Sequence, residues 1–129
     1  MSEDVERNKR AVRRLIDEVF NRGQLSAIDE LYAESLAGSV REWIAPFRDS
    51  FPDVRMEILD LIAERDKVVG RFTCSATHAG EWRGQEPTGR RFEDVDEVTI
   101  FRFADGRIIE TWSLEDDLGR LRQLRLPFS

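Results

Sequence analysis

The chain is poor in the residues that most often announce chemistry. In 129 residues it has one cysteine, Cys74, and one histidine, His78. A lone cysteine forms no internal disulfide, and one cysteine with one histidine does not supply a structural zinc site. No serine stands in a Gly-x-Ser-x-Gly setting, and Cys74 sits among apolar strand neighbours, so nucleophilic catalysis has little to build on. Gly84 and Gly89 are too isolated to cradle a phosphate. A block of one charge sign is also missing: 20 Lys and Arg are mixed with 26 Asp and Glu, for a net charge of −6. Without a clustered positive face, nucleic-acid binding is not expected. The densest basic stretch, Lys9, Arg10, Arg13 and Arg14, alternates with apolar residues at helical spacing and reads as a solvated helix face. No apolar run approaches the ~18–20 residues of a membrane span. The start, Met-Ser-Glu-Asp-Val-Glu, is the reverse of a basic signal-peptide start, so the expected address is the cytoplasm, with no membrane partner.

What is present argues for one folded domain over residues 1–129. Apolar residues make up 40% of the chain, with three Trp and eight Phe, which excludes a disordered acidic tail. At this length a domain buries roughly two-thirds of its unfolded surface.

The apolar period changes near residue 52. Before it, Val12, Leu15, Ile16, Val19 and Phe20 predict a helix over 4–22, ended by Gly23. A short helix fits 25–34. A third is predicted from Ser39, where Ser39 and Glu42 match a capping box and Val40, Trp43, Ile44 and Phe47 form the apolar face. Pro46 inside that helix removes a hydrogen bond and is in tension with it. After Phe51-Pro52 the pattern alternates. Val54, Met56 and Ile58 share one strand face, then Leu59 and Leu61 take the other, which predicts a bulge near 58–60. A second strand spans 67–79, with Val68, Phe72, Cys74 and Ala76 on one face. A loop fills 83–91. Strands 92–104 and 107–115 are joined by Asp105-Gly106, a hairpin signal, and a last helix covers 116–124. Helices first and an antiparallel sheet afterwards is an α+β layout, the helices packed on one face of a strongly bent sheet. Such a cone leaves a cavity for a small hydrophobic molecule.

Several pieces stand in an order that resembles the SnoaL-like polyketide cyclases of the nuclear-transport-factor-2-like, or cystatin-cone, superfamily. They are Gly23-Gln24-Leu25 leading into Asp29-Glu30-Leu31-Tyr32-Ala33, Phe51-Pro52-Asp53-Val54, Asp60-Leu61-Ile62-Ala63-Glu64, Thr77-His78-Ala79-Gly80-Glu81, and Pro87-Thr88-Gly89-Arg90. Phe101-Arg102-Phe103-x-Asp105-Gly106-x-Ile108 and Glu110-x-Trp112-x-x-x-Asp116-x-Leu118-Gly119 complete the set. The resemblance covers about residues 20–124. It implies a conical pocket, no metal or organic cofactor, and an aspartate that moves a proton beside a carbonyl during an intramolecular aldol closure. The matching position is Asp116. It also implies a homodimer joined through the sheet. Relatives often place His or Glu where this chain has Thr111.

Each candidate has two readings. Asp116 shares strand parity with Ile108, Trp112 and Leu114, which places it in an apolar pocket as a general base; it equally suits the cap of the last helix. His78 shares parity with Phe72, Cys74 and Ala76 and so points into the cone as a polarising partner, or it is structural at the strand end. Asp94 and Asp96 are in phase with Val98 and Ile100, as pocket acids or as part of a solvated acidic run with Glu93 and Glu97. Trp43, Phe47, Trp82, Phe101 and Trp112 line a pocket for a flat ligand or simply pack the core. The expected function is a cofactor-independent cyclase or isomerase acting on a small hydrophobic carbonyl compound. The alternatives are a non-catalytic ligand-binding protein and a structural dimer with a filled cone. Two or more polar groups converging beside Asp116 in an open cone favour the enzyme, an open pocket with Asp116 alone favours binding, and a filled cone favours the structural dimer.

Overall fold

The structure, a computed structural model, describes residues 2–128. The first apolar stripe forms α1 (Ser2–Arg14), continued by a π-helical stretch, Leu15–Asn21, that buries Leu15, Ile16, Val19 and Phe20. Gly23, at φ +70°, ends it, and its N–H donates to the Val19 carbonyl at 3.1 Å. The short helix is smaller than 25–34. A single 3-10 turn (Leu25–Ala27) leads into α2 (Ile28–Leu31), after which Tyr32 is extended and the Ala33 N–H donates to Ile108 O at 2.9 Å.

Helix α3 (Glu34–Ser50) begins more than a turn ahead of Ser39, which corrects the capping-box reading. Ser39 lies inside the helix and its hydroxyl donates back to Leu36 O. The burial of Ala37 and Val40 outweighs the roughly 1 kcal/mol cost of Gly38 in a helix. Pro46 is accommodated mid-helix, and the Ser50 hydroxyl donates to its carbonyl at 3.2 Å.

Four antiparallel strands follow in the order β1-β2-β3-β4: β1 (Arg55–Glu64), β2 (Lys67–Thr77), β3 (Arg91–Ala104) and β4 (Arg107–Glu115). Asp105 (φ +50°) and Gly106 (φ +81°) make the tight hairpin between β3 and β4. Each strand pair carries one register shift: at Leu59 in β1, at Glu93-Asp94 opposite Ser75, and at Ile109 in β4. Bulges bend and twist a sheet, and three of them curve this one without closing it. The concave face takes α1, the π-helical stretch and α3, with Val12, Ile44, Phe51, Phe72, Phe92 and Ile108 in the core. Helix α4 (Asp117–Leu124) packs back on β3. Among the described residues, no helix is long and apolar enough to cross a membrane.

One extra residue exchanges the two faces of a strand. In β4, Ile108 is fully buried, but past the Ile109 bulge Trp112 and Leu114 are 56% and 66% exposed. The inner positions are Thr111, Ser113 and Glu115. The expected pocket role of Trp112 is therefore corrected: it stands on the outer face of the sheet. The same exchange occurs in β3. Asp94, with φ +51°, flips the phase, so that Val95, Glu97, Thr99, Phe101 and Phe103 continue the inner side that Phe92 began.

Candidate functional site

Between α3, the concave sheet and the loop after β2 lies a cavity of about 720 Å³. A second lobe of about 330 Å³ shares Phe20, Trp43, Met56, Glu97 and Glu115 with it. The helices supply apolar walls: Phe20 from the π-helical stretch, and Trp43 and Phe47 one turn apart on α3. Phe20 and Trp43 pack ring to ring at 5.8 Å. Trp82 forms another wall, held by the turn in which Trp82 and Gln85 exchange backbone hydrogen bonds. The opposite wall is polar. In the smaller lobe, Tyr32, Thr99, Thr111 and Ser113 bring hydroxyls together, and Thr99 Oγ1 lies 2.8 Å from Ser113 Oγ.

At the end of that wall four elements converge. Glu97 of β3 and Glu115 of β4 are cross-strand neighbours. Arg120 of α4, with its side chain 1% exposed, reaches between them. Its Nη2 donates to Glu97 Oε2 at 3.1 Å, and its Nη1 donates to Glu115 Oε1 at 2.5 Å and to Asp117 Oδ1 at 3.2 Å. The guanidinium also lies over the Phe92 ring at 4.9 Å. Burial alone lowers a guanidinium's proton affinity, but Glu115 and Glu97 raise it, so Arg120 keeps its charge. Cys74 of β2 completes the cluster, its thiol pushed up to about 12 by burial and by Glu97. It is a neutral thiol and no nucleophile.

Glu97 is the unusual group. Burial and the neighbouring Glu115 push its carboxyl up to about 7, against the opposing pull of Arg120. Two carboxylates beside one guanidinium leave more negative charge than one cation offsets, so one proton is retained near neutrality.

The expected acid, Asp116, is elsewhere. It is exposed at the N-cap of α4, where its Oδ1 accepts from the Gly119 N–H at 2.8 Å. A Cβ at Gly119 would stand 2.3 Å from Asp116 Oδ2, so a larger residue there requires the capping carboxylate to shift. The cause of the displacement is again Ile109, which turns the Ile108 parity outward before it reaches Asp116. His78 is fully buried but does not line the cavity. Its ring packs against Phe51 and Trp82, and Nδ1 accepts from the Thr88 N–H at 3.2 Å, which ties the loop to β2. Asp94 and Asp96 are exposed. Trp43, Phe47 and Trp82 line the larger cavity and Phe101 the smaller lobe.

Sequence reasoning missed Glu97, Glu115 and Arg120. For Glu97 a signal existed: it is in phase with Val95, Phe101 and Phe103 rather than with the acidic run around it. Arg120, inside a helix rich in arginine, carries no such mark.

Comparison with known proteins agrees with this architecture. The family model for SnoaL-like polyketide cyclase matches residues 10–124. AclR from Streptomyces galilaeus, assigned as a hydroxylase, is 27% identical, with 97% of this chain and 85% of that one covered at a TM-score of 0.84. IdmH from Streptomyces antibioticus, assigned as a polyketide cyclase, is 27% identical, covering 92% of this chain and 99% of that one at a TM-score of 0.79. A protein from Jannaschia sp. assigned as a SnoaL-like polyketide cyclase is 23% identical over 95% of this chain and 94% of its own, at a TM-score of 0.86, a likeness of fold. No curated protein sequence matches the chain closely enough to stand as a relative. With the model spanning nearly all of the cone and solved relatives superposing over its full depth, the chain belongs to the SnoaL-like polyketide cyclase family.

Proposed function

We propose that the chain is a cofactor-independent cyclase or isomerase that moves a proton on a small hydrophobic carbonyl compound, with Glu97 in the role expected of Asp116. The observation that carries the reading is a cavity-lining carboxyl whose proton affinity sits at about 7, where a general acid–base group works best. In the ionised form, Glu97 takes the proton from a carbon next to a carbonyl. The resulting enolate carbon attacks a second carbonyl of the same molecule, and the carbon–carbon bond forms as that oxygen gains charge. Protonated Glu97 then returns its proton to the new alkoxide, and the carboxylate is regenerated. In the isomerase variant the proton returns to a different carbon. Arg120 fixes the position of Glu97 from a fully buried seat, and the helices supply an apolar wall for the substrate's rings. Convergent polar groups in an open cone favour turnover over a filled structural cone.

The test is α-proton exchange. A naphthyl diketone in deuterated buffer is followed by proton NMR with and without protein. The wild type is expected to accelerate exchange, Glu97→Gln to lose roughly two to four orders of magnitude of that acceleration, and Asp116→Asn to keep it. Exchange at the buffer rate in the wild type, or full exchange in Glu97→Gln, sinks the assignment and leaves ligand binding without turnover.

The protein acts as a homodimer in this reading, joined through the outer sheet face, and its address is the cytoplasm. Support for the dimer comes from Ile62, Val69, Ile100 and Trp112, which face one another in register across all four strands.

A further inference from the structure

The charge lining the cavity is unbalanced. Both of its arginines are already engaged: Arg120 by Glu97, Glu115 and Asp117, and Arg83 by Asp117 at 2.8 Å. Arg83 also stacks on the Trp82 ring at 4.1 Å, so one aromatic face of the cavity already hosts a cation. The acids are not matched in the same way. Asp49 has no ion-pair partner among the described residues, and Glu81 meets only the Gly84 N–H, at 2.7 Å. Glu97 and Glu115 share a single guanidinium. The same cavity is lined by Trp43, 52% exposed and with no cation on its face among the described residues. Aromatic rings beside unmatched carboxylates attract a cation both through the ring quadrupole and through direct charge.

We propose that the cavity takes an aromatic carbonyl compound carrying a positively charged nitrogen, its rings against Trp43, Phe47 and Trp82 and its nitrogen toward the acids Asp49, Glu81 and Glu97, and that it rejects the carboxylate of the same shape. The proposal names the substrate class for the proton-transfer site above and rests on that cavity being the binding site. A cation there stabilises ionised Glu97, so binding strengthens as pH rises. The groups facing Glu97 are Cys74 from β2, Glu115 from β4 and Arg120 from α4, with Asp117 bound to the other side of Arg120 through its Nη1. Of these, the thiol stays neutral and the guanidinium stays charged through the neutral range.

The test uses three probes of one ring system: naphthylmethylamine, naphthylmethanol and naphthoate. Binding to the full chain is followed by NMR line shifts and thermal shift at about pH 8. The amine is expected to bind at least ~10-fold more tightly than the alcohol, and the naphthoate more weakly than either. On lowering the pH to about 5.5 the amine's advantage shrinks, because Glu97 is then protonated. In the double variant Asp49→Asn, Glu97→Gln the amine falls to the level of the alcohol, while unchanged alcohol binding reports an intact cavity. Naphthoate binding as tightly as the amine overturns the proposal, as does failure of all three to bind. An amine advantage untouched by the double variant also overturns it, since the net charge of the chain then explains the preference. If that variant does not fold, the pH arm on the wild type decides by itself. These are binding readouts, so they stand apart from the exchange test: a clear amine preference without exchange removes the catalytic reading alone.

Discussion

A carboxylate that caps a helix and a carboxyl buried beside a like charge respond to substitution in opposite ways. Asp116 satisfies one of the free N–H groups at the start of α4, so Asp116→Ala is expected to cost roughly 0.5–2 kcal/mol, while Asp116→Asn, another good cap, costs little. Urea melts of both variants check this. Glu97 behaves differently because its folded-state affinity for a proton lies above its value in the unfolded chain. Below pH 4.5 both states hold the proton and stability is full; between 4.5 and about 7 the unfolded chain ionises first, and stability is lost as pH rises. Glu97→Gln removes that loss. Its stability relative to wild type is expected to improve between about pH 5 and pH 8 by on the order of 2 kcal/mol. Paired urea melts at the two pH values isolate the effect, and a difference that is flat with pH places the Glu97 carboxyl in solvent.

At the scale of the element, β1 is an edge strand, and its start is closed by a side chain. Asn21 Nδ2 donates to Met56 O at 3.0 Å, and Asn21 Oδ1 accepts from the Met56 N–H at 2.7 Å, imitating a strand neighbour. Asn21→Ala is expected to cost about 1–3 kcal/mol, because it leaves both backbone groups of Met56 without partners. Amide exchange at Met56 should speed up by more than at Val68, in the centre of the sheet. The strands also mark where sequence reading succeeds and where it stops. Alternation located β4 at 107–115, where the structure has it, and the switch from Ile58 to Leu59 flagged the bulge in β1. The bulges at Asp94 and Ile109 left no such mark, since their neighbours are apolar or acidic on both parities. Every inference that carried phase across them therefore failed, Trp112 and Asp116 among them. Trp43, Phe47, Trp82 and Phe101 depended on no phase beyond a bulge, and they line the two lobes. The cluster of Cys74, Glu97, Glu115 and Arg120 draws on four elements, so only the fold brings it together.

At the scale of the molecule, the two faces of the sheet have divided their work. The concave face holds the core and the cavity, while the convex face carries the row Ile62, Val69, Ile100 and Trp112, with Val98 and Leu114 in the adjacent row. Ile62 is 66% exposed, and Trp112 and Leu114 are also largely in solvent. Charged pairs stand beside this apolar area, Arg71 with Asp60 at 2.8 Å and Arg102 with Glu110 at 2.8 Å. An apolar centre with a polar rim is the anatomy of an interface, and a two-fold pairing sets the same rows against each other. Wild-type protein is therefore expected to scatter light as a dimer at micromolar concentration. Two charges placed at the two ends of the row, Ile62→Lys with Trp112→Arg, should yield a monomer, because pairing would bury each charge against the apolar side chains of an identical row. The variant should fold as the wild type does, since both side chains are mostly exposed in the single chain. Its cavity faces the other way, so α-proton exchange should persist in the monomer. A wild type that is monomeric at that concentration removes the dimer from the reading, whereas a monomeric variant that loses exchange makes the second copy part of the site.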